Sequence, residues 1–152
     1  MDRANLQAEG QFRHCVIIAG LIFSDLFLYS VQIVDLHCHS SASDGLLPPA
    51  EVARRAAENG VNILALTDHD TVDGIALAQA AIDADALPLH LLSGVEISCT
   101  WDAIEVHVVG LQVDTQSPAL LALLESQSQA RTARGVELGN RLEKNKIPGC
   151  YE

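Results

Sequence analysis

Six residues in this chain have side chains and spacings suited to holding metal ions. His37 and His39 are separated by one residue in Val34-Asp35-Leu36-His37-Cys38-His39-Ser40, and Asp44 follows just before Gly45. His69 lies between Asp68 and Asp70, Glu96 ends the run Ser93-Gly94-Val95-Glu96, and His107 is embedded in IEVHVVGLQV. Imidazole and carboxylate are the ligand types that suit Zn, Mn or Fe. Along a strand, side chains alternate with a period of two, so Asp35, His37 and His39 share one face. Leu36 and Cys38 then point into an apolar layer, which gives Cys38 a packing role. Four histidines and two carboxylates exceed what one tetrahedral ion requires, so a cluster of two or three divalent ions is expected. Such a cluster acidifies bound water and neutralises charge on both oxygens of a phosphoryl displacement.

Each residue also has an ordinary reading. His69 could be a turn residue, Asp44 an Asx-turn before Gly45, Glu96 a solvated carboxylate, and His107 an edge histidine between two valines. It is their convergence that favours the cluster. Asp68 is expected to orient an imidazole from behind, as carboxylates around metal sites do. Asp70, or Thr71, is expected to cap the helix that follows. His14 and His90 have no comparable context and are assigned no role.

The elements that would position these residues follow from periodicity. Val31 to Val34 carries β-branched residues at alternate positions and predicts a strand running into the His37–His39 pair. Pro48-Pro49 and Gly60 frame a helix whose packing face is Val52, Ala53, Ala56 and Ala57. Val61 to Thr67 is a nearly continuous apolar run, as in a strand covered on both faces. A second helix is expected over Thr71 to Asp83, a buried strand over Leu87 to Leu92, and an alternating strand over Ile104 to Val113. From Pro118 the pattern predicts either one exposed helix or two shorter ones. The order β-α-β-α-β-β-α places the polar residues at the carboxyl ends of strands, where parallel α/β folds and (β/α) barrels assemble their sites.

Composition sets the outer limits. At 152 residues and 49% hydrophobic the chain can bury a real core and is not disordered. A net charge of -11 argues against wrapping duplex nucleic acid. It leaves room for a nucleotide, because bound cations reverse the local field. Cys15, Cys38, Cys99 and Cys150 show no C-x-x-C spacing, which fits a reduced, cytoplasmic setting better than a disulfide scaffold. The apolar stretch Cys15 to Leu28 is interrupted by Asp25 and is shorter than the ~20 residues a membrane span needs. No A-x-A cleavage site follows it, so a leader helix, an added strand or a start codon placed too far upstream all stay open. Residues 1–30 therefore count as an uncertain apolar extension and residues 31–152 as the domain, with no membrane association expected.

At VDLHCHSSASDG, LALTDHDTVDG, LLSGVEIS and EVHVVGL the chain resembles the PHP (polymerase and histidinol phosphatase) family of metal-dependent phosphoesterases. The resemblance runs from about Val34 to Pro148, with the four motifs in order. It is nearest to the branch of 3′,5′-nucleotide bisphosphate phosphatases and 5′→3′ exoribonucleases. The resemblance implies the N-terminal portion of a distorted (β/α)7 TIM-like barrel. It further implies that His37 and His39 bind one Mn, Zn or Fe ion, that Asp44 and His69 help hold a further one, that Glu96 bridges two and that His107 completes a site. The implied reaction is phosphate ester hydrolysis by metal-activated water, on a phosphorylated small molecule, a nucleotide or a short RNA. The family's later strands supply another His and an Asp-x-His pair, whereas this chain has no histidine after His107. An open half-barrel would leave a sheet edge and apolar surface exposed, favouring self-association. Two other readings remain: an amidohydrolase-like hydrolase, which also has an H-x-H pair after its first strand, and a truncated, non-catalytic module that binds metal or a partner.

Overall fold

The computed structural model describes residues 15–20, 29–147 and 149. Most of the expected apolar leader, His14 and the last residues lie outside these. Contacts divide the chain into two units, Met1–Asp114 and Thr115–Glu152.

Among the described residues the first unit contains a five-stranded sheet in sequential order. Its strands are β1 (Cys15–Gly20), β2 (Tyr29–Cys38), β3 (Val61–Leu66), β4 (His90–Trp101) and β5 (Ile104–Leu111). Strands β2, β3 and β4 run parallel, each linked to the next by a helix, α1 (Pro49–Glu58) and α2 (Asp73–Asp85). The outer strands β1 and β5 pair antiparallel. Part of the apolar stretch thus forms an added strand. The α/β arrangement is the N-terminal portion of a TIM-like barrel.

Helix α1 forms as its proline and glycine predict. Pro49 occupies the first turn, where a missing N–H costs nothing, and Gly60 turns back at φ 77°. Its Val52, Ala53 and Ala56 pack with Ala78 and Ile82 of α2 against Cys38, Val61, Leu64 and Leu66 of the sheet. Fully burying one Val or Leu in such a core contributes about 1.5–3 kcal/mol. Cys38 is buried and its thiol donates to the Ala65 carbonyl at 3.3 Å, with burial pushing its pKa far up. It therefore packs, as alternation implied.

Two boundaries differ from expectation. Helix α2 begins at Asp73 and has no side-chain cap; the Thr71 hydroxyl accepts from the Asp73 N–H, while Asp70 is engaged elsewhere. The strand expected over Leu87 to Leu92 starts instead at His90 and continues to Trp101. Residues 90–93 pair with β3 and residues 94–101 with β5, so β4 belongs to both a parallel and an antiparallel ladder. Gly94 sits at that change of partner. A Cβ there would lie 2.7 Å from the Thr67 methyl and 2.8 Å from the Leu66 carbonyl oxygen, so only glycine fits.

Among the described residues the second unit contains one helix, α3 (Pro118–Lys144), rather than two shorter ones. Ser117 caps it by accepting from the Leu120 N–H, and Arg141 and Lys144 in the last turn complement its dipole.

Candidate metal centre

The site lies at the carboxyl ends of β2 and β3 and on the adjoining face of β4 and β5. Alternation along β2 turns His37 and His39 to the same side, with their Nε2 atoms 3.0 Å apart. The turn after them is tight: Ser43 and Gly45 N–H groups both donate to the Ser40 carbonyl, and a Cβ on Gly45 would lie 2.5 Å from the His39 carbonyl oxygen. This turn swings Asp44 back, so that its Oδ1 meets His39 Nδ1 at 2.8 Å. His69 lies three residues past the end of β3, and Glu96 and His107 sit diagonally across the β4–β5 pairing, where Glu96 is opposite Val109 and His107 opposite Ser98.

Glu96 is the hub. Its Oε2 lies 2.8 Å from His37 Nε2, 2.9 Å from His39 Nε2 and 3.5 Å from His69 Nε2, while its Oε1 is 3.0 Å from His107 Nδ1. The carboxylate is 7% exposed. Burial works to raise its pKa, but the hydrogen bond from His37 and the charge of His69 outweigh it, and the net shift is downward. Asp44 is also held below the ordinary carboxylate range: burial opposes the shift, and the hydrogen bond with His39 overcomes it. Burial lowers the pKa of His69 despite nearby Glu96. His107 is shifted upward, first through its hydrogen bond with Glu105 and then through Glu96.

Six predicted residues are thereby brought within reach of one another. Three overlapping groups could each hold an ion: His37–His39–Glu96, His39–Asp44–His69 and His69–Glu96–His107, with ligand atoms inside each group no more than 4.8 Å apart. The residues fit metal on two counts. One carboxylate collects four imidazoles, and His69 Nδ1 is buried without a hydrogen-bond partner. The other nitrogen of His69, Nε2, faces Asp44 and Glu96, and imidazoles converging with carboxylates in this way have the chemistry of a ligand set.

Asp68 and Asp70 act differently from expectation. The contacts described for Asp68 are with serines rather than with an imidazole. Its carboxylate accepts from the Ser40 N–H at 2.6 Å and from the Ser40 and Ser43 hydroxyls at 2.7 Å each, fixing the turn that carries Asp44. Gly74 leaves room for it, since a Cβ there would lie 2.7 Å from Asp68 Oδ2. Asp70 does not cap α2: it accepts from the Ser98 N–H and hydroxyl on β4. Sequence spacing also missed Ser40, Ser43 and Ser98 as supports of the site. The short polar run after His39 was the only signal. His90 is exposed at the start of β4, away from the cluster.

Known proteins bear on this geometry. The PHP domain pattern matches residues 35–143. The chain is 50% identical over 118 residues to a 5′-3′ exoribonuclease of Haemophilus influenzae, covering 78% of this chain and 42% of that protein. It is 45% identical over 119 residues to a 3′,5′-nucleoside bisphosphate phosphatase of Chromobacterium violaceum, covering 78% and 41% respectively. A solved structure from Chromobacterium violaceum, described as an amidohydrolase with bound sulfate and no metal, superimposes with a TM-score of 0.71 at 45% identity, over 78% of this chain and 41% of that one. This chain thus spans about two fifths of the length of the curated relatives it matches. The matched segment takes in all six clustered residues, and the chain belongs to the PHP domain family.

Proposed function

We propose that this chain carries the metal-binding half of a phosphoesterase centre that hydrolyses phosphate esters of nucleotides or short RNA. The observation that carries this reading is Glu96, one buried carboxylate with four imidazoles within 3.5 Å of it. His37, His39, Asp44, His69, Glu96 and His107 would hold two or three divalent ions, with Mn, Zn and Fe matching the donor set. Bound ions would supply Lewis-acid polarisation and acidified water. The chain's own part is to fix the ligands. Asp68 and its serines lock the His39–Asp44 turn, and β5 presents His107 to Glu96. The side chains of His37 and Asp44 are 51% and 61% exposed, leaving the cluster open on the side where a phosphate can approach. The relatives named for nucleoside bisphosphates and for RNA, and the sulfate in the solved relative, support a tetrahedral dianion of nucleotide type as substrate. Cys38 and Cys99 are free thiols, which supports a reduced, cytoplasmic setting.

This chain covers only 42% and 41% of the two relatives, and a second reading is that this portion binds metal without turning over substrate. One experiment separates the readings. Elemental analysis after gel filtration in Mn or Zn should find bound ion in the wild type and a marked loss in His37→Ala. Phosphate release from 3′-phosphoadenosine 5′-phosphate should accompany it. Bound metal without phosphate release would select the second reading, and a metal-free chain indistinguishable from His37→Ala would defeat both.

A further inference from the structure

Asp70 takes a backbone conformation that residues with a Cβ adopt rarely, aspartate and asparagine more often than most. It lies just after the β3 end at φ 52°, in the left-handed region, and it is buried. Glycine would adopt this conformation freely, whereas a residue with a Cβ is strained there by roughly 1 kcal/mol. A reason for aspartate must come from its side chain.

The local ladder supplies it. Past Leu66 the chain leaves the regular β3–β4 pairing, yet residues 68–70 continue along β4. The Glu96 N–H donates to the Asp68 carbonyl at 3.1 Å, and the Asp70 N–H donates to the Glu96 carbonyl at 2.9 Å. The next donor on the same edge of β4 is the Ser98 N–H. There it is the Asp70 side chain that meets β4. Its carboxylate accepts from the Ser98 N–H at 2.9 Å and from the Ser98 hydroxyl at 2.8 Å. Glu96 and Ser98 are two apart on β4 and so project to the same face. A buried, charge-assisted two-point contact on Ser98 therefore pins the strand one step beyond the hub carboxylate.

We propose that Asp70 is a positioning residue: by completing the ladder to Ser98 it holds the Glu96 segment of β4 in the register that places one carboxylate among four imidazoles. The proposal rests on the metal-centre reading given above.

The test uses three variants of the full chain. Asp70→Gly deletes the carboxylate while relieving the backbone strain, Asp70→Asn keeps an acceptor for the Ser98 N–H and tolerates the left-handed conformation, and Ser98→Ala removes only the hydroxyl. Calorimetric titration with Mn or Zn should show affinity in Asp70→Gly reduced about 10- to 100-fold, the range for partners that support metal ligands. Asp70→Asn should stay close to the wild type, with Ser98→Ala in between. Amide exchange on metal-free protein gives an independent readout: in Asp70→Gly the Glu96 and Ser98 amides should lose protection, while those of β2 and β3 keep theirs. Wild-type metal affinity in Asp70→Gly, unchanged exchange at Ser98, or a uniform loss of protection across the sheet would each overturn the proposal. If the wild type itself binds no metal, the phosphoesterase reading fails, and the exchange pattern still decides whether Asp70 sets the register.

Discussion

Glu96 shows how one residue can be over-determined. Four imidazoles within 3.5 Å of its carboxylate offer more donors than one charge can satisfy, and the pull downward on its pKa follows from them. This has a consequence for the metal-stripped protein. A carboxyl whose folded pKa lies below its ordinary 4.5 binds its proton more readily in the unfolded chain. Its stabilisation is therefore complete above that ordinary value and disappears as pH falls through the lower, folded one. Asp44 acts in the same direction from its ordinary 3.8. Urea unfolding of chelator-treated protein between about pH 5 and about pH 3 should show stability declining with acid, and Glu96→Gln should decline less steeply. An equal slope in the two proteins would remove Glu96 from the balance. The cluster itself was legible in the sequence, because strand alternation and the strand-end positions of His69, Glu96 and His107 are local features. Asp70 was not: its partner Ser98 is 28 residues away, and beside a helix start an aspartate reads most simply as a cap.

At the scale of elements, legibility followed how local the cause was. Proline before and glycine after α1 lie within the helix's own segment, so its limits could be read directly. The extent of β4 depends on two neighbours, β3 for its first residues and β5 for the rest, and no local pattern announces that exchange. Two glycine exchanges probe these elements with opposite signs. Gly94→Ala would push a methyl against the Thr67 side chain and the Leu66 carbonyl, and backbone cannot yield as a side-chain tip can. A loss of about 1–3 kcal/mol is expected, with weaker metal retention because the same strand carries Glu96. At the end of α2, Ala86 sits at φ 48°, a left-handed cap that ordinarily calls for glycine. Ala86→Gly should raise stability by about 0.5–1 kcal/mol, the relieved strain exceeding the added freedom of the unfolded chain. Thermal or urea unfolding checks both, and a stabilising Gly94→Ala or a destabilising Ala86→Gly would contradict the packing described.

Over the whole molecule the decisive contest is between charge and apolar surface. Strand β5 has a partner on one side only among the described residues, and its hairpin with β4 carries an apolar ladder: Ile97 opposite Val108, Cys99 opposite Val106, Trp101 opposite Ile104. These pairs lie on the face away from Glu96 and His107, and Trp101 is 78% and Ile104 63% exposed. An edge of this kind, without lysine or proline, is a template for pairing with another strand. Opposing this is a net charge of -11, which keeps copies apart as long as it is unscreened. Repulsion acts over the Debye length, about 20 Å in ~20 mM salt and only ~4 Å in ~0.5 M, whereas apolar contact acts at touching distance and salt does not weaken it. The ladder should therefore win once salt is added. Sedimentation at about 20 mM salt should find chiefly single chains, and at about 0.5 M the wild type should associate. Val106→Lys with Val108→Lys, two charges placed in the middle of the ladder, should keep the chain apart at both salt levels. Association that weakens with salt, or that survives both lysines, would move the contact to another surface.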